Sequence, residues 1–131
     1  MATLTKEKGI STHTYLGTHL IAEFFGCDAD DDTGFIRRAL REAVVASGAT
    51  MLDEKYHKFS PQGITGYILL KESHISIHTW PEYGYAAVDV FTCGETMKPE
   101  AAIESLKNAL RPDKVTMKKI MRGDVKNRPL A

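Results

Sequence analysis

The stretch SHISIHTWPEYGYAAVDVFTC, residues 73–93, constrains the fold more than any other part of the chain. Two alternating runs flank a break around Pro81 and Gly84, the pattern of a hairpin whose strands each carry one apolar face. Ile75 and Ile77 point one way in the first run, as do Ala86, Val88 and Val90 in the second, so this side requires a covering layer. The same alternation gathers His74, Ser76, His78, Tyr85, Ala87, Asp89, Phe91 and Cys93 on the other side. A sheet face that only meets water carries scattered Lys, Glu, Thr and Arg. Imidazole, hydroxyl, thiol and aromatic groups together are the side chains of proton transfer, nucleophilic attack and partner packing.

The covering layer is legible on either side of the hairpin. From Phe35 to Ser47, Ile36, Ala39, Leu40, Ala43 and Val44 recur at helical spacing, with Arg37, Arg38, Arg41 and Glu42 on the opposite face and Gly48 as a C-terminal stop. A second helix begins near Pro99, carries Ala102, Ile103, Leu106, Ala109 and Leu110 on one stripe, and ends before Pro112. Strands are expected in YLGTHLIAEFFGCD, in TMLDEKYHKF and ITGYILLKE joined by the turn SPQG, and in DKVTMKKIM. This order predicts an α+β fold, a two-layer α/β sandwich in which two helices pack on one face of a mostly antiparallel sheet.

At 131 residues the chain reads as a single domain, with residues 1–14 a polar, flexible arm and RGDVKNRPLA a frayed tail. CDADDDTG places four Asp within five positions, but Thr33 stands where a calcium loop needs Gly and Ala39 where it needs Glu. The segment therefore reads as a loop into a helix whose dipole favours acidic residues.

Composition narrows the function. Lys plus Arg and Asp plus Glu both number 17, so no basic field argues for a nucleic acid partner. Cys27 and Cys93 are too few for a disulfide framework and read as free thiols. No apolar run approaches the ~20 residues of a membrane span, and no apolar leader opens the chain, so a soluble cytoplasmic protein is expected. His74 and His78 share a strand face but stand about 13 Å apart by strand rise, too far to share an ion, and no metal is expected. A Cys93 nucleophile with His78 as base remains open on spacing, without a hydrolase signature around Cys93. Alternation nominates Ser76 as the serine that shares a face with His78; Ser73 falls on the other.

Across ESHISIHTWPEYGYAAVDVFTCG the sequence resembles the bacterial and archaeal type of S-adenosylmethionine decarboxylase, a family of pyruvoyl enzymes that supply aminopropyl groups for spermidine. GTHLIAEFFGCD, SGAT and KFSPQGITG carry the likeness further, from Tyr15 to Met121. The resemblance implies that the chain cuts itself between Glu72 and Ser73. Ser73 Oγ would attack the Glu72 carbonyl to form an ester, and loss of the Ser73 α-proton would eliminate the Glu72 carboxylate. The dehydroalanine left behind would hydrolyse to a pyruvoyl group, giving chains 1–72 and 73–131.

By the same resemblance His78 is the processing acid/base, Thr65 a processing hydroxyl and Cys93 the proton donor in turnover. Phe59 stacks on adenine, Glu82 binds ribose hydroxyls and Glu23 is a further family acid, while Trp80 and Pro81 read as turn and packing elements. The implied cofactor is the covalent pyruvoyl group from Ser73, which forms a Schiff base with the substrate amine and does the work of pyridoxal phosphate. S-adenosylmethionine is the implied substrate, with arginine or ornithine the alternative within pyruvoyl decarboxylases and an unprocessed, non-catalytic regulatory paralogue the alternative outside catalysis. A homodimer of two-chain protomers is the implied assembly, covering the open sheet face.

Overall fold

The structure is a computed structural model that describes residues 15–127; the expected N-terminal arm and the last four residues of the expected tail lie outside them. The elements follow the expected order: β1 Gly17–Phe25, α1 Thr33–Ser47, β2 Met51–Lys58, β3 Ile64–Leu70, β4 Ser73–Trp80, β5 Tyr85–Cys93, α2 Pro99–Leu110 and β6 Lys114–Arg122. The strands form one antiparallel sheet in the order β2-β3-β4-β5-β1-β6. Part of the expected tail is ordered, since Val125–Asn127 forms a 3-10 turn.

Both helices lie on the face that alternation marked as apolar. Ile36, Ala39, Leu40, Ala43 and Val44 of α1 and Ala102, Ile103, Leu106 and Leu110 of α2 are buried against Leu20, Ala22 and Phe24 of β1, Ile64 and Ile68 of β3, Ile75 and Ile77 of β4, and Val88 and Val90 of β5. Gly66 admits α1 to the sheet, because a Cβ there would sit 2.9 Å from Leu40 Cδ1 and 3.0 Å from the Tyr56 ring.

The acidic loop works differently from the dipole reading, and no acidic residue occupies the first turn of α1. Asp32 is the N-cap, accepting from Phe35 N at 2.9 Å, while Asp31 accepts from Gly63 N at 3.1 Å and from Lys58 Nζ at 2.6 Å. Backbone N–H groups without a backbone partner at a helix start and a tight turn are what these short carboxylates satisfy. No helix among the described residues is long and apolar enough to cross a membrane.

Candidate active site

The face away from the helices is built in rows by the strand register. Glu23, Ala87, His78 and Thr65 lie side by side across β1, β5, β4 and β3. Thr65 Oγ1 and His78 Nδ1 are hydrogen-bonded at 3.0 Å, which leaves Nε2 as the free nitrogen of an exposed imidazole. The short side chain of Ala87 opens a hollow lined by His19, Glu23, His78 and Asp89. Tyr85 donates its hydroxyl to Glu23, and this bond, aided by burial, pushes the phenol up to about 12.

The adjoining rows hold a network that sequence reasoning did not assemble. Asp89 of β5 accepts from His19 Nε2 at 2.7 Å and from His74 Nε2 at 2.9 Å on one oxygen, and from the Ser76 hydroxyl on the other. Burial alone would raise the Asp89 pKa; the bonds from His74, Ser76 and His19 outweigh it and hold the carboxyl well below the usual range. Arg122 Nη1 lies 3.1 Å from His19 Nδ1. A guanidinium only donates, so Nδ1 accepts, Nε2 carries the proton, and His19 is a donor to Asp89. The ligating atoms of His19, His74 and Asp89 lie within 4.8 Å of one another, the makings of a metal site, but Arg122 fixes the His19 proton where an ion would need a lone pair. Ser76, which alternation nominated as the reactive serine, is occupied as a buried donor in this network.

The Glu72–Ser73 junction stands at the start of β4 beside the end of β5. Cys93 N donates to Glu72 O at 2.9 Å, Ser73 faces Thr92 in register, and the Glu72 side chain accepts from Thr50 N at 3.1 Å. Ser73 has φ 155°, a positive value that residues with a Cβ rarely take. Register confirms that Ser73 belongs with the helix-side row of Ile75 and Ile77, and that His78 and Cys93 share the open face. It also separates them. Cys93 and Ala87, the β5 partner of His78, lie six residues apart, about 20 Å by strand rise, and Ser73 and His78 five residues, about 16 Å. One protomer therefore brings Glu72, Ser73 and Cys93 together at one end of the sheet and Thr65 and His78 together at the other.

The expected substrate residues lie toward the His78 end. Phe59 follows β2, is 48 % exposed and packs edge-on to His57 at 4.5 Å, and Glu82 is exposed in the 3-10 turn Pro81–Tyr83. Pro81 begins that turn as expected, and Trp80, 41 % exposed on the open face, packs its ring 5.4 Å from Tyr85 and 6.4 Å from His78. Its exposure follows from its face: Trp80 pairs with Tyr85 in the open-face rows, on the side of the sheet that the helices do not cover.

A family profile described as S-adenosylmethionine decarboxylase matches residues 18–123. The chain belongs to the S-adenosylmethionine decarboxylase family. An S-adenosylmethionine decarboxylase proenzyme of Methanococcus vannielii is 56% identical over 112 residues, 84% of this chain and 92% of the relative. The corresponding proenzyme of Thermotoga petrophila is 46% identical over 110 residues, 82% of this chain and 85% of the relative. A crystal structure of the adenosylmethionine decarboxylase from Aquifex aeolicus superimposes with a TM-score of 0.81 at 40% identity, covering 89% of this chain and 98% of that one. The α+β sandwich is thus the fold of the family, and the chain is an enzyme of the decarboxylase class; these likenesses lend nothing to the arginine, ornithine or non-catalytic alternatives.

Proposed function

We propose that this chain cuts itself between Glu72 and Ser73 and then decarboxylates S-adenosylmethionine, yielding the aminopropyl donor of spermidine synthesis. The observation that carries the reading is the clamp at the junction, where Cys93 N–H already sits on the Glu72 carbonyl oxygen at 2.9 Å and Ser73 adopts a positive φ. When Ser73 Oγ adds to the Glu72 carbonyl carbon, negative charge develops on that oxygen, and a backbone donor in place stabilises it more than it stabilises the ground state. The strained backbone lowers the cost of leaving the amide. The C–N bond then breaks, the nitrogen takes a proton, and an ester joins the two parts.

Elimination from that ester requires a base at the Ser73 α-proton. His78, with Nδ1 bonded to Thr65 and Nε2 free, has the form of one, but about 16 Å of strand separates it from Ser73 of the same chain. A second copy meets the need. A two-fold axis lying in the interface across the strands sets the Ser73 end of one open face over the His78 end of the other. Phe25, Tyr67, Leu69, Trp80 and Ile120 give that face the exposed apolar area that such a contact covers. The functional unit in this reading is a homodimer with two composite sites.

The Glu72–Ser73 junction, with its clamped carbonyl and open surroundings at Cys93, suits formation of a pyruvoyl group on residue 73. Once formed, that ketone supplies the electron sink for loss of carbon dioxide. Cys93, exposed beside the junction, returns a proton to the substrate carbon from Sγ. Phe59 and Glu82 of the second copy arrive with His78, offering a ring face for adenine and a carboxylate for ribose hydroxyls, and Glu23 completes the row beyond Ala87.

Intact mass spectrometry tests the reading: the 14.6 kDa chain should give fragments 1–72 and 73–131, the second beginning with a ketone, and Ser73→Ala should stay whole. The processed protein should release carbon dioxide from S-adenosylmethionine. A chain that remains intact, or release from arginine or ornithine instead, refutes the corresponding half.

A further inference from the structure

We propose that the Thr92 hydroxyl is a positioning residue for the scission itself, holding Ser73 Oγ in line with the Glu72 carbonyl; the inference rests on the self-cleavage reading above. Thr92 is 2 % exposed, and its Oγ1 is a buried polar atom without a hydrogen-bond partner among the described residues. The helix-facing row of β5 otherwise reads Ala86, Val88 and Val90, so Val is the residue that packing alone would place next. Thr has the shape of Val and adds only a hydroxyl, which costs free energy when it is buried unpaired. An orphan of this kind marks a group whose partner arrives in another state of the site.

The register identifies that partner. Ser73 is directly opposite Thr92, and side chains so paired have Cβ atoms about 4.5–5.5 Å apart, within which Ser and Thr hydroxyls bond to each other. Rotation about Ser73 χ1 brings its Oγ into reach. Thr92 Oγ1 then accepts the Ser73 hydroxyl hydrogen, directing an Oγ lone pair toward the Glu72 carbonyl carbon while the next residue, Cys93, donates its N–H to the carbonyl oxygen. Two successive residues of β5 thereby grip both reacting groups. In the step they serve, the Oγ–C bond forms as the carbonyl pair moves to oxygen, that pair returns to re-form C=O as the C–N bond breaks, and the proton leaving Oγ ends on the released nitrogen.

Thr92→Val and Thr92→Ser, each in the full chain, separate this role from packing. Thr92→Val should slow scission roughly 10- to 100-fold, the scale of losing one hydrogen bond to a reacting group, and Thr92→Ser should return it to within about threefold of wild type. In a Ser73→Ala background, which cannot cleave, Thr92→Val should leave the thermal midpoint unchanged or raised. Hydroxylamine, which intercepts an ester, should not restore scission in Thr92→Val, because the impaired step precedes the ester. Wild-type scission rates in Thr92→Val, an equal loss in Thr92→Ser, or full rescue by hydroxylamine would overturn the assignment while leaving self-cleavage standing. A wild-type chain that never cleaves removes both.

Discussion

Separate chains carrying Ser73→Ala and His78→Ala distinguish a composite site from one built within a protomer. Neither variant should process alone, the first lacking the nucleophile and the second the base. The register puts about 16 Å between the two residues of one chain, and a two-fold across the strands exchanges the ends of β4. In a mixed dimer, then, the intact Ser73 of the His78→Ala chain faces the intact His78 of the Ser73→Ala chain, and the other site lacks both. Random pairing of equal amounts gives roughly half mixed dimers. Roughly half of the His78→Ala chains should therefore be cut, about a quarter of all chains, with none of the Ser73→Ala chains. Co-expression followed by intact mass reads this directly, because a 73–131 fragment with the mass of the His78→Ala substitution can only come from complementation. If size-exclusion chromatography shows mixed dimers and no such fragment forms, the composite site is wrong; if His78→Ala alone processes at the wild-type rate, His78 is not the base.

Three other perturbations follow from named contacts. Asp89→Asn should cost about 2 kcal/mol at neutral pH, since Asp89 accepts three hydrogen bonds as an anion. Its folded pKa is lowered, so its contribution is present above the ordinary carboxylate value near 4 and fades as pH falls toward the depressed one; urea titrations should show the gap between wild type and variant closing below about pH 4, and a pH-independent gap refutes the account. Gly66→Ala forces its Cβ against Leu40 and Tyr56 and should cost about 2 kcal/mol, a fall of about 8 °C in thermal midpoint; an unchanged midpoint refutes it. Cys93→Ala retains the backbone donor to Glu72 and should cleave near the wild-type rate, yet lose about 100-fold or more in clean turnover; unimpaired turnover excludes the thiol as proton donor.

Local periodicity made much of this legible. Ile75, Ile77, Val88 and Val90 declared the covered face because a strand has period two and apolar residues require cover, and Ile36, Leu40 and Val44 declared the helix that covers it. The Asp89 network was not legible in the same way. His19 lies 70 residues from Asp89 and Arg122 lies 103 from His19, and only the insertion of β1 between β5 and β6 joins them. The alternation of Leu20, Ala22 and Phe24 does place His19 and Glu23 on the open face, but strand order decides which neighbours they meet. Likewise, alternation placed His78 and Cys93 on one face without stating that a face has two ends.

That same strand order bears on what scission would leave behind. Residues 1–72 contribute β1, β2, β3 and α1, and residues 73–131 contribute β4, β5, β6 and α2. In the sheet these do not form two separable blocks, because β1 of the first part lies between β5 and β6 of the second, paired to each along its length, while β3 pairs with β4. The helices, one from each part, pack together over a shared core. Separating the parts would require breaking three ladders and exposing Leu20, Phe24 and Val90, whereas cutting the chain at the head of β4 breaks one bond at the sheet's margin and no element. A backbone in this topology can be consumed to make a reactive end group, because the fold around that end group is held by strand pairing and burial instead of by the bond that was lost.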